Sequence, residues 1–380
     1  MKLLEYKAHE VFRTYGVASI DGHTVSTPEE LAGVDGKLPY PVVIKAQVQT
    51  GNRGKLGGIQ FAENREELLE KGKAVLGMTI KDLEVKRIFI TPKVKILKEM
   101  YLSFTMDRKT KLGVMIFSPE GGVDINEIVE KNPDKVAKLL IPAGEEIPDF
   151  MLQYAADKTG LDPKYLGEFK EMCRKLYTAY VQHDCLLAEI NPLVVTENDE
   201  LRALDGKVDI DDNALYRHPE IAEFRDEITE NPLILDARKF DFLYIPIKDR
   251  GNISVVSNGS GMIMSSIDLI TKRGMEVISA LDLGGGATAD RIKEALRIVA
   301  SKNEVDTIFI NIFGGITRCD EIARGVKEAF ANISAKRLVI RLEGTNKEEG
   351  LEIVRSIEGD IELVDGLYEG VDTLAEGMKV

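Results

Sequence analysis

Histidine and cysteine are scarce in this 380-residue chain, and the scarcity narrows its chemistry before any motif is read. The four histidines, at 9, 23, 183 and 218, stand apart from the glycine-rich strand ends of the C-terminal part. The cysteines, Cys173, Cys185 and Cys319, show no CxxC spacing and cannot all pair, which argues against a zinc site or a disulfide framework. Buried thiols in a reducing cytoplasm are the expectation. Neither a G-x-S-x-G nor a Cys–His arrangement is visible, so the chain carries no obvious nucleophile. No apolar run approaches the roughly 20 residues of a spanning helix, and the charged opening "MKLLEYKAHEVFRTYG" resembles neither a signal nor a transit peptide. Positive charge is also in deficit, with 50 Lys and Arg against 64 Asp and Glu. The net charge of -14 argues against nucleic acid as the main partner. It leaves phosphate ligands open, because a few local cations can dominate a pocket.

What is present reads as a globular α/β protein of two or three domains, 44% hydrophobic and 30% charged. The N-terminal part mixes helices, as in "EYKAHEVFRTYG" (5–16), with β-rich runs such as "PVVIKAQVQ" (41–49), "KRIFITP" (86–92) and "MYLSFTMD" (100–107). From about residue 238 the rhythm becomes five βα units whose apolar strands do not alternate, the signature of a parallel sheet covered on both faces. Right-handed crossovers then give a doubly wound, flavodoxin-like domain. The expected division is 1–237 and 238–380.

Ligands of doubly wound sheets sit at the carboxyl ends of strands, and three such ends here carry glycine: Gly259 with Gly261, Gly284 to Gly286, and Gly314-Gly315. In "NIFGGITR" (311–318) an apolar run ends in two glycines, then Ile316, Thr317 and Arg318 open a helix, an arrangement suited to an anion. None of the three is a dinucleotide fingerprint, since "NGSGMIM" has Met264 where the third glycine should stand. In the N-terminal part, "QTGNRGKLGG" (49–58) interleaves Gly51, Gly54, Gly57 and Gly58 with Arg53 and Lys55, and it is not a Walker A loop. Lys45 lies inside the apolar strand "PVVIKA" and must either snorkel out or meet a negative partner, because burying it alone costs several kcal/mol. A nucleotide phosphate would serve. Glu189 and Asn191 stand two apart on one strand, and Asp205 ends a neighbouring one. Oxygen donors of this kind suit Mg²⁺, which keeps few protein ligands. At an effective dielectric near 20, a carboxylate 4 Å from a divalent ion gains about 8 kcal/mol before desolvation.

Seven ordered blocks then resemble the β subunits of the succinyl-CoA synthetase (succinate–CoA ligase) family over essentially the whole chain. They are "LLEYKAHEVFRTYGV", "VVIKAQVQTGNRGKLGG", "KEMYLSFTMDR", "AEINPLVVT", "LDGKVDIDDNALYRHPEI", "LDLGGGAT" and "NIFGGITRCDEIARG". The resemblance implies an ATP-grasp domain followed by a flavodoxin-like CoA-ligase domain. It also implies an α subunit that binds CoA and carries the phosphorylated histidine, which would supply the missing nucleophile. By motif, Lys45, Asn52, Arg53, Gly54 and Glu99 would hold ATP or GTP, with the backbone of Thr91 and Val94 facing the base. Asn191 and Asp205 would bind Mg²⁺, and Glu189 would assist phosphoryl transfer. Asn258, Gly315, Ile316 and Thr317 would form this chain's side of the succinate and phosphate site, Thr317 standing where an aliphatic residue is more usual. A malate–CoA ligase β subunit would share nearly every motif, and a non-catalytic nucleotide-binding scaffold is the alternative of another class.

Overall fold

The computed structural model describes residues 1–34, 36–49, 53–81, 83–142, 146–225, 231–248, 250–286, 288–333 and 336–377. They form two compact units, Met1–Thr229 and Glu230–Val380. Each of the three free cysteines is buried, and among the described residues no helix is long and apolar enough to cross a membrane.

The first unit contains two main antiparallel sheets, besides the short pair Thr79–Ile80 and Leu83–Glu84. The smaller has the strand order His23–Val25, Ile88–Pro92, Val42–Ala46, Ile59–Ala62. Val42, Ile44 and Ala46 point alternately into one core, where helix Arg65–Val75 lays Leu68 and Val75 against them. That helix begins where Asn64 Oδ1 accepts the Glu67 N–H at 3.0 Å, satisfying one of its orphan donors. The larger sheet has the order Leu201–Ala203, Cys185–Thr196, Ile96–Asp107, Leu112–Ser118, Ala137–Ile141, and Gly206–Ile210 also pairs with Cys185–Thr196. Helix Leu166–Gln182 buries Phe169, Met172, Cys173, Leu176 and Ala179, a 3.6-residue stripe facing this sheet. The Phe169 and Phe117 rings meet there at 4.3 Å.

The second unit is one sheet in the order Leu243–Pro246, Val277–Asp282, Ile253–Ser257, Thr307–Gly314, Arg337–Gly344, Ile361–Leu363. Its last five members are parallel, and counted along the chain they run 2-1-3-4-5, the flavodoxin-like order. Helices Ala289–Ala300, Cys319–Ile333 and Lys347–Arg355 cover one face, and Ser260–Lys272 with Leu367–Glu376 the other, so both faces of the strands are buried. Leu243–Pro246 adds an antiparallel edge that the βα rhythm did not announce.

Helix Pro232–Arg238, all but its last residue, would fall in the first domain on a division at 237. Its contacts put it in the second unit: Ala237 is fully buried in that core, Leu233 and Ile234 pack against it, and Asp236 pairs with Arg297 at 2.7 Å. Its apolar residues had no partner that spacing alone could identify.

Helices Ala289–Ala300 and Cys319–Ile333 approach closely because residue 325 is glycine. A Cβ there would lie 2.5 Å from the Ala289 carbonyl oxygen and 2.6 Å from Ile292 Cβ. Gly325→Ala should therefore cost about 1–3 kcal/mol of stability through overpacking, read from the denaturant midpoint. An unchanged midpoint would contradict the close helix contact.

Candidate functional site

The start of helix Glu5–Thr14 places a carboxylate where the first unit collects its cations. Glu5 is 5% exposed. Lys45, on strand Val42–Ala46, donates to Glu5 Oε1 at 2.7 Å and to the Leu204 carbonyl at 3.0 Å. Arg53, opening the short helix Arg53–Leu56, ion-pairs with Glu5 Oε2, donates to the Ala46 carbonyl at 2.9 Å and reaches Asp205 Oδ2 at 3.3 Å. Gln47 donates to Glu5 Oε2 at 3.2 Å, and its own amide oxygen accepts the Tyr6 N–H at 3.2 Å. The buried ring of His9 lies 3.7 Å from Glu5 Oε1. Burial pushes the Glu5 carboxyl up, but the Arg53 and Lys45 cations more than offset this and hold it well below the ordinary value. Lys45 thus has its anionic partner within the chain, where the sequence pointed only to a ligand phosphate.

Above this cluster a cleft of about 350 Å³ opens, lined among others by Glu5, Arg53, Gly54, Glu189, Asn191 and Asp205. Strand Cys185–Thr196 contributes Glu189, paired across the sheet with Ser103 on one side and Lys207 on the other. The Tyr101 hydroxyl donates to Glu189 Oε2 at 2.9 Å, and burial together with that carboxylate pushes the phenol up. Asn191 sits where the ladder slips register, between Ile190 and Leu193. Asp205 lies in the turn before Gly206–Ile210, its Oδ1 accepting the Gly206 N–H at 2.8 Å. Burial and the nearby Glu5 carboxylate raise the Asp205 carboxyl, against the pull of Arg53 and Lys45.

Of the residues singled out in the sequence, Arg53, Gly54, Glu189, Asn191 and Asp205 line this one cleft. Lys45 stands behind the wall, 5% exposed. Thr91 is fully buried on strand Ile88–Pro92, its hydroxyl without a partner among the described residues. Val94 is in the linker from that strand to Ile96–Asp107, and Glu99 is on the latter with an exposed side chain. These three are not part of the cleft lining. Asn52 lies outside the described residues.

In the second unit the four expected residues lie at the carboxyl ends of two neighbouring strands. Asn258 follows strand Ile253–Ser257, and its amide clamps the neighbouring strand: Nδ2 donates to the Phe313 carbonyl at 2.9 Å, and Oδ1 accepts the Phe313 N–H at 3.1 Å. Nδ2 also donates to Thr317 Oγ1 at 3.2 Å, and Thr317 is 2% exposed. Gly315 and Ile316 face solvent, Ile316 with 85% of its surface open. Arg318 does not point at this opening. Its guanidinium grips the fully buried Asp320 through Nε at 3.1 Å and Nη2 at 2.7 Å, Asp320 also pairing with Arg324 and accepting from Asn346 at 3.1 Å.

Family models match in two places, an ATP-grasp domain over residues 2–195 and a CoA-ligase domain over 256–364. The chain is 41% identical over 363 residues to the succinate–CoA ligase [ADP-forming] subunit beta of Desulforapulum autotrophicum, covering 93% of this chain and 94% of that one. With the same-named protein of Bacillus pumilus the identity is 38% over all of both chains. It belongs to the succinate–CoA ligase β-subunit family. The GDP-forming subunit beta of Thermus thermophilus is 40% identical, with 93% of each chain covered, so relatives named for either nucleotide lie equally near. Among solved structures, ATP citrate lyase from Methanothrix soehngenii shares the fold at a TM-score of 0.73, with 17% identity and 99% of both chains covered.

Sequence reasoning overlooked Glu5, Gln47 and Asp320. Glu5 stands in an unremarkable amphipathic helix, and its one signal was the buried lysine that required an acid. Asp320 looked like an ordinary first-turn carboxylate favoured by the helix dipole.

The hydrogen bonds from Arg318, chiefly, pull the Asp320 carboxyl from its usual 3.8 to about 2. A depressed value means stability fully present above pH 3.8 and lost as pH falls towards 2. Asp320→Asn should therefore cost about 1–2 kcal/mol at neutral pH, discounted because both arginines are partly exposed. The gap to the unaltered chain should close between those two values in urea titrations. A pH-independent gap would contradict the assignment.

Proposed function

We infer that this chain is the nucleotide- and acid-binding subunit of an enzyme that reversibly ligates succinate to CoA at the expense of ATP or GTP. The observation that carries the reading is the first-unit cleft, where Arg53 and Gly54 face Glu189, Asn191 and Asp205 within a fold matched by the ATP-grasp family. Among the described residues, no histidine, cysteine, serine or threonine lines that cleft. This supports a nucleophile donated by a second subunit. Free, buried cysteines support a reducing, cytoplasmic setting.

Arg53 neutralises phosphate charge from one side, in a position already fixed by Glu5 and the Ala46 carbonyl. Lys45 raises the positive potential behind it. The amide of Asn191 and the carboxylate of Asp205 are hard oxygen donors on one wall, and they fit Mg²⁺, which keeps most of its shell from water and phosphate. When bound, the ion neutralises charge on the phosphates of the nucleotide. Glu189, steadied by Tyr101, faces the same space and accepts a proton from, or orients, the imidazole of a visiting histidine. The γ-phosphoryl group moves from nucleotide to that imidazole nitrogen and then to a succinate carboxylate oxygen, and the CoA thiol displaces phosphate from the resulting acyl phosphate. In the second unit, the Asn258 clamp holds the Gly315-Ile316-Thr317 turn open at a strand end, a geometry suited to a carboxylate or phosphoryl oxygen.

Incubating the full chain and its α partner with γ-labelled ATP, and separately GTP, should place label on the partner only. Labelling should require Mg²⁺, and succinate plus CoA should discharge it, faster than malate plus CoA. Label on this chain, or none on the partner, would contradict the reading.

A further inference from the structure

The wall that carries Glu189 and Asn191 is held by a turn that no motif singled out. Strand Leu112–Ser118 leads into Gly121-Gly122-Val123, which lies against strand Ile96–Asp107. A Cβ on Gly121 would overlap the Met100 carbonyl, and one on Gly122 would overlap the Glu99 carboxylate. Gly122 has φ +75, where a side chain is strained in any case. From this seat the Gly122 N–H donates to Asn191 Oδ1 at 2.9 Å, and the Val123 carbonyl accepts from Asn191 Nδ2 at 3.0 Å. A backbone N–H can only donate and a backbone carbonyl can only accept. The two contacts therefore fix which end of the amide is oxygen, and they leave that oxygen one lone pair.

We propose that the Gly122-Val123 turn is a positioning element for Asn191, and that position 191 requires an amide in place of a carboxylate. This rests on the reading that the cleft takes a nucleotide with its divalent cation. A charge argument alone favours aspartate, whose extra negative charge would strengthen attraction to the cation. The geometry opposes it. In Asn191→Asp a second carboxylate oxygen would face the Val123 carbonyl with no proton between them. Relief by rotation of the side chain, or by retreat of the turn, takes the ligand oxygen out of place. Gly122 ties this arrangement to Glu99, since any side chain there displaces the Glu99 carboxylate while straining the N–H that orients Asn191.

Calorimetric titration of the full chain with ADP and with GDP, each in Mg²⁺ and in EDTA, tests this on Asn191→Asp, Asn191→Ala and Gly122→Ala. We expect Asn191→Asp to weaken binding in Mg²⁺ by roughly 10–100-fold, the usual cost of disturbing a ligand's supporting shell. It should be no better than Asn191→Ala, and binding in EDTA should stay within about twofold of the unaltered chain. Gly122→Ala, which removes no ligand atom, should show the same Mg²⁺-dependent loss. Asn191→Asp binding as tightly as the unaltered chain or more so would overturn the proposal. So would equal losses with and without Mg²⁺, the pattern of a merely structural role. Failure of the unaltered chain to bind either nucleotide would overturn the functional reading and this inference with it, and that control separates the two.

Discussion

A single buried carboxylate, Glu5, sets the electrostatics of the first unit. Two cations converge on it, Lys45 and Arg53, from a strand and from the short helix after a glycine-rich loop. Burying either cation without an anion costs several kcal/mol, and each close ion pair returns about 4 kcal/mol at an effective dielectric near 20. The three groups are therefore stable only together, and the cleft inherits a fixed Arg53 as a result. A flexible surface arginine would have to be ordered when phosphate binds. This one is ordered before it arrives, so the cost of fixing it belongs to folding.

The second unit repeats the device at a strand end. Asp320, fully buried, draws in Arg318 and Arg324 and accepts from Asn346, which ties the start of helix Cys319–Ile333 to the turn after strand Arg337–Gly344. Arg318 thereby acts on the Gly315-Ile316-Thr317 turn as a brace and not as its anion ligand. What remains open at the turn is backbone, together with the exposed Ile316 and Phe313 side chains. In both units a buried acid fixes an arginine beside a site, and glycine supplies the close backbone approach.

The parallel sheet was legible because its strands are continuous apolar runs punctuated by glycine, with helical periodicity between them. The antiparallel first unit was legible in outline, through β-rich runs such as "PVVIKAQVQ" and the long stripe of Leu166–Gln182. Strand Ala137–Ile141, helix Asp149–Thr159 and the edge strand Leu243–Pro246 were not read, because the two strands are short and the exposed Phe150 and Tyr154 blur the helix's apolar stripe. At the site, residue types that look out of place were informative: a lysine in a strand, and two oxygen donors with matching spacing. Glu5, Asp320 and the Gly121-Gly122 turn were hidden for the opposite reason. Acids in first helical turns and glycines in turns are ordinary in sequence, and only tertiary contacts give them meaning.

A double-mutant cycle on Glu5→Gln and Arg53→Gln, read as affinity for the Mg²⁺–nucleotide complex, tests the central claim most directly. If Glu5 acts by holding Arg53, each single change weakens binding and the double change is little worse than Arg53→Gln alone, a coupling of about 1–3 kcal/mol. Losses that simply multiply would mean that the two residues act independently, and would contradict the claim that the buried acid prepares Arg53 for phosphate.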